Sequence, residues 1–308
     1  MSTVEYIVLA HSRCGVQFNA NGMKRARVCQ CFVSTLVCLG FFLFILLDTR
    51  APSAKLLWKE ERRWEEDWDR NQTRVLLLAY PRSGSSLLGH LLFRIRGAAY
   101  FFEPLHVYRQ RQKLIDEGKG MGLLDRIFRC EGEVLSEMIE NAFVNRYSLA
   151  FDDCRNAKVI FLKTIRLRLD AAFHWLSRRT DLYVVHLVRD PRAILRSLTR
   201  AKYSSRDPRV LCPLIQNDLR LGRLLSPQRY VRIRYEDLVQ RPEETMKKIL
   251  HLVNVDFDQP KLWKTLEDLV IRNIPSTPEL LAPFDEYTRG VIREECDEVM
   301  NDLEYADM

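Results

Sequence analysis

Two segments, about a hundred residues apart, constrain the fold of this chain more than anything else in it. The first runs Val75-Leu76-Leu77-Leu78-Ala79-Tyr80-Pro81-Arg82-Ser83-Gly84-Ser85-Ser86. The second runs Tyr183-Val184-Val185-His186-Leu187-Val188-Arg189-Asp190-Pro191-Arg192-Ala193-Ile194-Leu195-Arg196-Ser197. Each is an apolar run of strand length that breaks into a polar turn and then takes up helical spacing. An uninterrupted apolar strand implies burial on both faces, as in a parallel sheet covered by helices. Where such a strand feeds a helix, the helix N-terminus presents free N–H groups and a partial positive charge, so phosphate-like anions collect there. Two junctions of this kind suggest one ligand with two anionic ends.

The rest of the chain agrees. From Arg74 onward, apolar runs at 74–80, 99–102, 159–163, 183–189 and 230–234 alternate with helical patterns. Those patterns fall near 85–96, 133–147, 167–178, 191–201, 211–224, 242–252 and 288–302. The expected fold is α/β, a P-loop-NTPase-like three-layer domain around a central, mostly parallel sheet. In the last helix Val291, Ile292, Val299 and Leu303 recur at helical spacing, which marks a core face.

At the first junction Ser83, Gly84, Ser85, Ser86 and Leu87 can wrap an oxyanion, with Gly84 letting the backbone approach closely. Gly84 and Gly89 have the glycine spacing of the nucleoside triphosphate loop, which then requires Lys and Ser or Thr. This chain has His90 and Leu91 instead, so a kinase or ATPase lacks its phosphate lysine and its magnesium hydroxyl. At the second junction Pro191 suits an early helical position, because its missing N–H costs nothing there. Taken alone, the serine-rich turn also reads as a helix cap, and Arg189-Asp190 as a local ion pair.

Together the two segments resemble the phosphosulfate and 3′-phosphate motifs of sulfotransferases that use 3′-phosphoadenylyl sulfate. They are most similar to the Golgi carbohydrate 6-O-sulfotransferases acting on galactose, N-acetylgalactosamine or N-acetylglucosamine. The resemblance implies that Arg82 and the loop Ser83 to Leu87 hold the phosphosulfate, while Arg189 and Ser197 hold the 3′-phosphate with Asp190 beside them; Arg192 and Arg196 either add charge there or are solvated. It also aligns Phe101-Phe102-Glu103-Pro104 with a family segment. Glu103 is then either the base that accepts the sugar hydroxyl proton or an anchor for the Arg82 loop, and His106 is the alternative base. Lys163 and Arg166, in another matching segment, neutralise the sulfate or an acidic acceptor, or pair within the fold. Arg234-Tyr235-Glu236-Asp237-Leu238 matches as well and reads as a structural strand-to-helix corner. Near the end, Leu303-Glu304-Tyr305 carries Glu where relatives carry Gly. No metal is encoded for this chemistry. A tyrosylprotein sulfotransferase, or a non-catalytic membrane-tethered protein that binds glycan or nucleotide, are the rival readings.

The formal net charge of +7 suits an anionic cofactor, an acidic glycan, nucleic acid or a membrane surface. No zinc-ligand spacing, ribonucleoprotein motif or basic helix with heptads is present, so nucleic acid is not an expected partner. Near the N-terminus, Lys24, Arg25 and Arg27 precede an uncharged stretch from Val28 to Leu47, about the 20 residues that cross a bilayer as a helix. It exceeds a usual signal-peptide core and lacks an Ala-x-Ala-like cleavage site, which favours an uncleaved anchor. The expected layout is a cytosolic tail 1–27, anchor 28–47, stem 48–73 and sulfotransferase domain 74–308. The resemblance implies a single-pass type II Golgi membrane protein with that domain in the lumen and a glycan as acceptor. An oxidising lumen, as the resemblance implies, makes disulfides Cys130–Cys154 and Cys212–Cys296 the expectation, with four buried free thiols as the alternative, and makes the Asn71-Gln72-Thr73 sequon usable.

Overall fold

The computed structural model describes residues 72–108, 119–140, 154–203, 206–268 and 276–305. The expected tail, anchor and stem up to Asn71, including the sequon asparagine, lie outside the described residues. Among the described residues, no helix is long and apolar enough to cross a membrane.

The described part begins with β1 (Thr73–Ala79), α1 (Ser85–Phe93), β2 (Ala98–Phe102) and a 3-10 turn at Pro104–Tyr108. Then come α2 (Lys119–Phe128), α3 (Gly132–Glu140), β3 (Val159–Thr164), α4 (Leu169–Arg178), β4 (Leu182–Val188) and α5 (Pro191–Arg200). The last part comprises α6 (Pro208–Gly222), β5 (Tyr230–Arg234), α7 (Tyr235–Gln240), α8 (Pro242–Leu252), α9 (Pro260–Glu267), α10 (Thr277–Leu281) and α11 (Glu286–Asp302). The strands form one parallel sheet in the order β2-β3-β1-β4-β5. All five expected strands are present to within a residue at each end.

β1 sits at the centre, with Leu76 opposite Leu162 of β3 on one side and Val184 of β4 on the other. Its residues alternate between two cores. Leu76 and Leu78 face α2 and α4 through Leu124, Phe128, Leu169 and Ala172. Val75 and Leu77 face α1 and α8 through Leu88, Leu91, Met246 and Ile249. Burial on both faces is why β1 reads as an unbroken apolar run. Truncating Leu76, fully buried, to Ala is expected to cost about 2–5 kcal/mol. Gly89 faces the Tyr100 ring, whose hydroxyl would stand 2.0 Å from an added Cβ. The second glycine of the apparent triphosphate spacing therefore lets α1 pack on β2.

A third core joins α5, α6 and α11 through Leu195, Leu198, Ile215, Ile292 and Val299. Cys212–Cys296 fastens α6 to α11, and Cys130–Cys154 fastens the end of α2 to the entry of β3. Both pairs are those the resemblance implied. Beyond α11, Glu304 adopts φ 59°, a left-handed conformation that glycine takes more readily.

Parallel order places every strand's C-terminal end on one edge of the sheet. The turns after β1, β2, β4 and β5 therefore emerge together, which is where open α/β sheets bind ligands.

Candidate active site

After β1 the chain makes a tight turn. The Tyr80 carbonyl accepts the Ser83 N–H (3.1 Å) and the Ser83 hydroxyl (2.7 Å). Pro81 and Arg82 occupy the two central positions. Proline suits the first of these, and the second takes a positive φ in a type II turn. Arg82 has φ 66°, which costs a non-glycine residue roughly 1–2 kcal/mol. Ser83 is fully buried with its hydroxyl turned inward to Tyr80. That corrects the expectation that Ser83 donates to an anion: its hydroxyl and its N–H both brace the turn.

Gly84 follows at φ 92° and caps α1 without a side chain. A Cβ here would lie 2.2 Å from the Tyr235 ring, so the tyrosine fills the space that glycine leaves. The N–H groups of Leu87 and Leu88 bond to the Gly84 carbonyl at 2.9 and 3.2 Å. Leu87 is therefore part of the helix rather than an anion donor, and its side chain packs against the core. The N–H groups of Gly84, Ser85 and Ser86 have no hydrogen-bond partner among the described residues. Ser85 is buried and Ser86 exposed. These free donors at the positive end of α1 make the first anion cradle.

The second cradle begins at Arg189, after β4. Its Nη1 donates to the Arg82 carbonyl oxygen at 2.9 Å, and its guanidinium lies 4.2 Å from the centre of the Tyr235 ring. Its Nε is buried and has no hydrogen-bond partner among the described residues. From α5, the Ser197 hydroxyl accepts from Arg82 Nε at 2.9 Å. Arg82, Arg189 and Ser197 thus meet at one place, with Tyr235 against both Gly84 and Arg189.

Asp190 and Arg192 do something else. Asp190 caps α5 by accepting the Arg192 N–H (2.8 Å), and its carboxylate pairs with the Arg192 guanidinium at 2.7 Å. Arg192 also donates to Thr277 Oγ1 (3.0 Å) and to the Tyr305 carbonyl (3.1 Å). Both residues are buried and their charges neutralise each other, so they hold the loop instead of reaching a ligand. Glu236 completes this support, accepting the Asp190 N–H at 3.2 Å and the Tyr305 hydroxyl. Burial raises the Glu236 carboxyl above its ordinary range.

Glu103 stands after β2 with φ 51° and is almost fully buried. Its Oε1 lies 2.7 Å from Lys163 Nζ and accepts the Ile165 N–H at 3.0 Å. Its Oε2 accepts from Arg166. Three donors on one carboxylate leave little capacity to take a proton from a substrate. The geometry favours the anchoring role over the base. Burial lowers the Lys163 amine from its usual range while Glu103 opposes that shift, and Lys163 also lies 4.3 Å from the Phe102 ring. His106 is half-buried beside this group, its N–H bonded to the Glu103 carbonyl at 2.8 Å. Lys163 and Arg166 lie at the end of β3, next to β1 on the side away from Arg189.

Tyr235 is the residue that sequence reasoning missed. It was legible only as part of a strand-to-helix corner, and the corner is there, with β5 running straight into α7. Its position on the same sheet edge as both cradles was the available signal.

The profile of the sulfotransferase family matches residues 74–259. Carbohydrate sulfotransferase 3 of Mus musculus is 26% identical over 279 residues, covering 66% of this chain and 58% of that protein. Carbohydrate sulfotransferase 1 of Danio rerio is 23% identical over 269 residues, covering 61% and 64%. The chain thus spans less than two thirds of the length of these curated relatives. Among solved structures, the sulfotransferase domain from the curacin biosynthetic pathway superposes with a TM-score of 0.46 at 16% identity, covering 77% of this chain and 99% of that one. The family match runs from β1 through both cradles to the start of α9 and spans more than half of the chain, so this chain belongs to the sulfotransferase family.

Proposed function

We propose that this chain transfers the sulfuryl group of 3′-phosphoadenylyl sulfate to a hydroxyl, the 6-position, of a glycan. The observation that carries this reading is the direct bond from Arg189 to the Arg82 carbonyl, which joins the two cradles at one place. Three features fit a nucleotide with two anionic ends. They are the free N–H groups after Arg82, the buried Nε of Arg189 that lacks a partner among the described residues, and a glycine whose missing side chain admits the Tyr235 ring. The names of the curated relatives favour a carbohydrate acceptor.

When bound, the donor would supply an activated sulfuryl group: the S–O bond to phosphate breaks as sulfur bonds to the acceptor oxygen, and the negative charge stays on the phosphate. The hydroxyl proton goes to His106, the alternative base beside Glu103. Arg82 and the N–H groups of Gly84, Ser85 and Ser86 receive that charge, and a preorganised donor of this sort is typically worth about 3 kcal/mol. Arg189 and Ser197 grip the 3′-phosphate. Tyr235 offers a flat wall between the two grips. Glu103 keeps Lys163 and Arg166 fixed at the end of β3, so that two positive charges flank the first cradle. Residues 28–47 serve as the anchor of a type II Golgi membrane protein, with 48–73 as stem and 74–308 in the lumen.

The test uses full-length protein, radiolabelled donor, a panel of glycans and a set of tyrosine peptides. Label on a glycan supports the proposal, and label on peptides alone points to a tyrosylprotein sulfotransferase. Binding of 3′-phosphoadenosine 5′-phosphate with no transfer at all would make the chain a binding protein and sink the enzymatic reading.

A further inference from the structure

Beneath the Tyr80–Ser83 turn lies a chain of buried polar side chains that the proposed reaction leaves unused. The Tyr80 hydroxyl donates to Asp218 Oδ2 at 2.9 Å and lies 3.0 Å from His186 Nε2. His186 Nδ1 in turn lies 2.8 Å from the Tyr230 hydroxyl. The other carboxylate oxygen, Oδ1 of Asp218, accepts the Leu169 N–H at 2.8 Å. Tyr80, His186 and Asp218 are each at most 1% exposed. They come from the end of β1, from β4 and from α6, and Tyr230 comes from β5.

Counting protons fixes how this chain runs. Each phenol carries one proton and a neutral imidazole carries one. With Asp218 ionised, one direction closes: Tyr230 donates to Nδ1, Nε2–H donates to Tyr80, and Tyr80 donates to the carboxylate. With Asp218 protonated, every link reverses, and His186 carries its proton on Nδ1. Both directions keep Asp218, Tyr80 and His186 paired; in the second the Tyr230 O–H turns away from Nδ1 toward the half-exposed side of the residue. The two directions differ in strength at Tyr80, because a bond to a carboxylate is roughly twice as strong as a neutral one.

Tyr80 is also the residue whose carbonyl closes the turn that forces Arg82 into its left-handed conformation. We propose that Asp218, acting through Tyr80 with His186 as relay, is a positioning residue that holds the Tyr80–Ser83 turn and so the placement of Arg82. Its consequence for donor binding rests on the sulfotransferase reading above. Burial pushes the Asp218 carboxyl up to about 6 and the His186 imidazole down to about 3. His186 therefore stays neutral through the change, and what switches is its tautomer. The charged groups facing the chain are Arg168, 4.9 Å from the Tyr80 ring at the entry to α4, with Asp170 on α4, Arg223 after α6 and Arg232 on β5.

Full-length protein labelled with ¹⁵N in histidine gives the direct readout, through the two imidazole nitrogen shifts of His186. In the wild type the proton is expected on Nε2 at pH 7.5 and on Nδ1 well below pH 6. In Asp218→Asn it is expected on Nδ1 throughout, because the carboxamide can donate to Tyr80. Calorimetry with 3′-phosphoadenosine 5′-phosphate is expected to give about tenfold weaker binding for Tyr80→Phe. Asp218→Asn is expected to bind more weakly than the wild type at pH 7.5 and about as well as it at pH 5.5, each comparison made at one pH so that protonation of the ligand's phosphates cancels. Should Asp218→Asn fail to fold, Tyr230→Phe, at the half-buried end, is expected to move the pH of the tautomer change. A single His186 tautomer at every pH overturns the proposal. So do variants that melt earlier yet bind the nucleotide with wild-type affinity and pH profile, since that is mere structural support. A wild type that does not bind the nucleotide refutes the donor reading instead, and the tautomer change still decides the role of Asp218.

Discussion

The guanidinium of Arg189 donates to the backbone carbonyl of Arg82 across 2.9 Å, although 107 residues separate them in the chain. The two anion cradles are therefore mechanically one object. Anything that moves the turn after β1 also moves the first residue after β4, and Tyr235 lies against both.

Replacing Arg189 with Ala is expected to weaken 3′-phosphoadenosine 5′-phosphate by roughly 10- to 100-fold, as for a lost charged hydrogen bond. Adenosine 5′-phosphate, which lacks the 3′-phosphate, is expected to lose much less. Titration calorimetry on both ligands separates these outcomes, and equal losses contradict the assignment of Arg189.

Gly84→Ala combines two penalties, a Cβ 2.2 Å from the Tyr235 ring and a side chain at φ 92°. Urea unfolding is expected to register about 1–3 kcal/mol from the backbone conformation alone. Adding Tyr235→Ala is expected to relieve the clash but not the backbone cost, so the double variant stays below the wild type.

Stability is expected to carry a signature of Asp218. Its folded carboxyl titrates at about 6, against 3.8 when unfolded. Between those values the folded protein holds a proton that the unfolded chain has released. Its contribution therefore favours folding at acid pH and is lost as pH rises through about 6. The full effect is about 2–3 kcal/mol. The difference in unfolding free energy between wild type and Asp218→Asn, followed from pH 4 to 7.5, isolates it, and a flat difference contradicts it.

Reduction is expected to matter unequally for the two disulfides. Cys212–Cys296 spans 84 residues and Cys130–Cys154 spans 24. Loop-closure entropy then gives about 4.5 kcal/mol for the first and about 3.5 kcal/mol for the second. Thermal melts of Cys212→Ser/Cys296→Ser and Cys130→Ser/Cys154→Ser check the order. Peptide mapping without reduction checks the pairing.

The sheet was legible because burial on both faces leaves an apolar run that needs no tertiary information. So were the two strand–turn–helix junctions, since a strand followed by a polar turn and a helix is a local pattern. What the sequence could not convey was where a side chain turns once the chain is folded. Asp190 and Arg192 look like ligand groups in the chain, but Thr277 and Tyr305 arrive from far away and draw Arg192 inward. Ser83 is similar, its hydroxyl taken by Tyr80 three residues earlier. Glu103 resembles a base until Lys163, Ile165 and Arg166 are found on it. Helices α2, α9 and α10 were missed: α2 carries Gly120 and Gly122 in its first turn, α9 barely exceeds two turns and α10 has only five residues, so none displays a clear helical period.

Arg82 sits on a backbone shape that glycine would take more comfortably. Arg82→Gly is thus the substitution that a search for heat-tolerant variants would reward, with a melting temperature at or above the parent's, and it would remove the guanidinium that the proposed reaction relies on. Tolerance of heat and turnover are set against each other at one position. A laboratory selecting survivors on heating alone would collect sturdy, silent molecules.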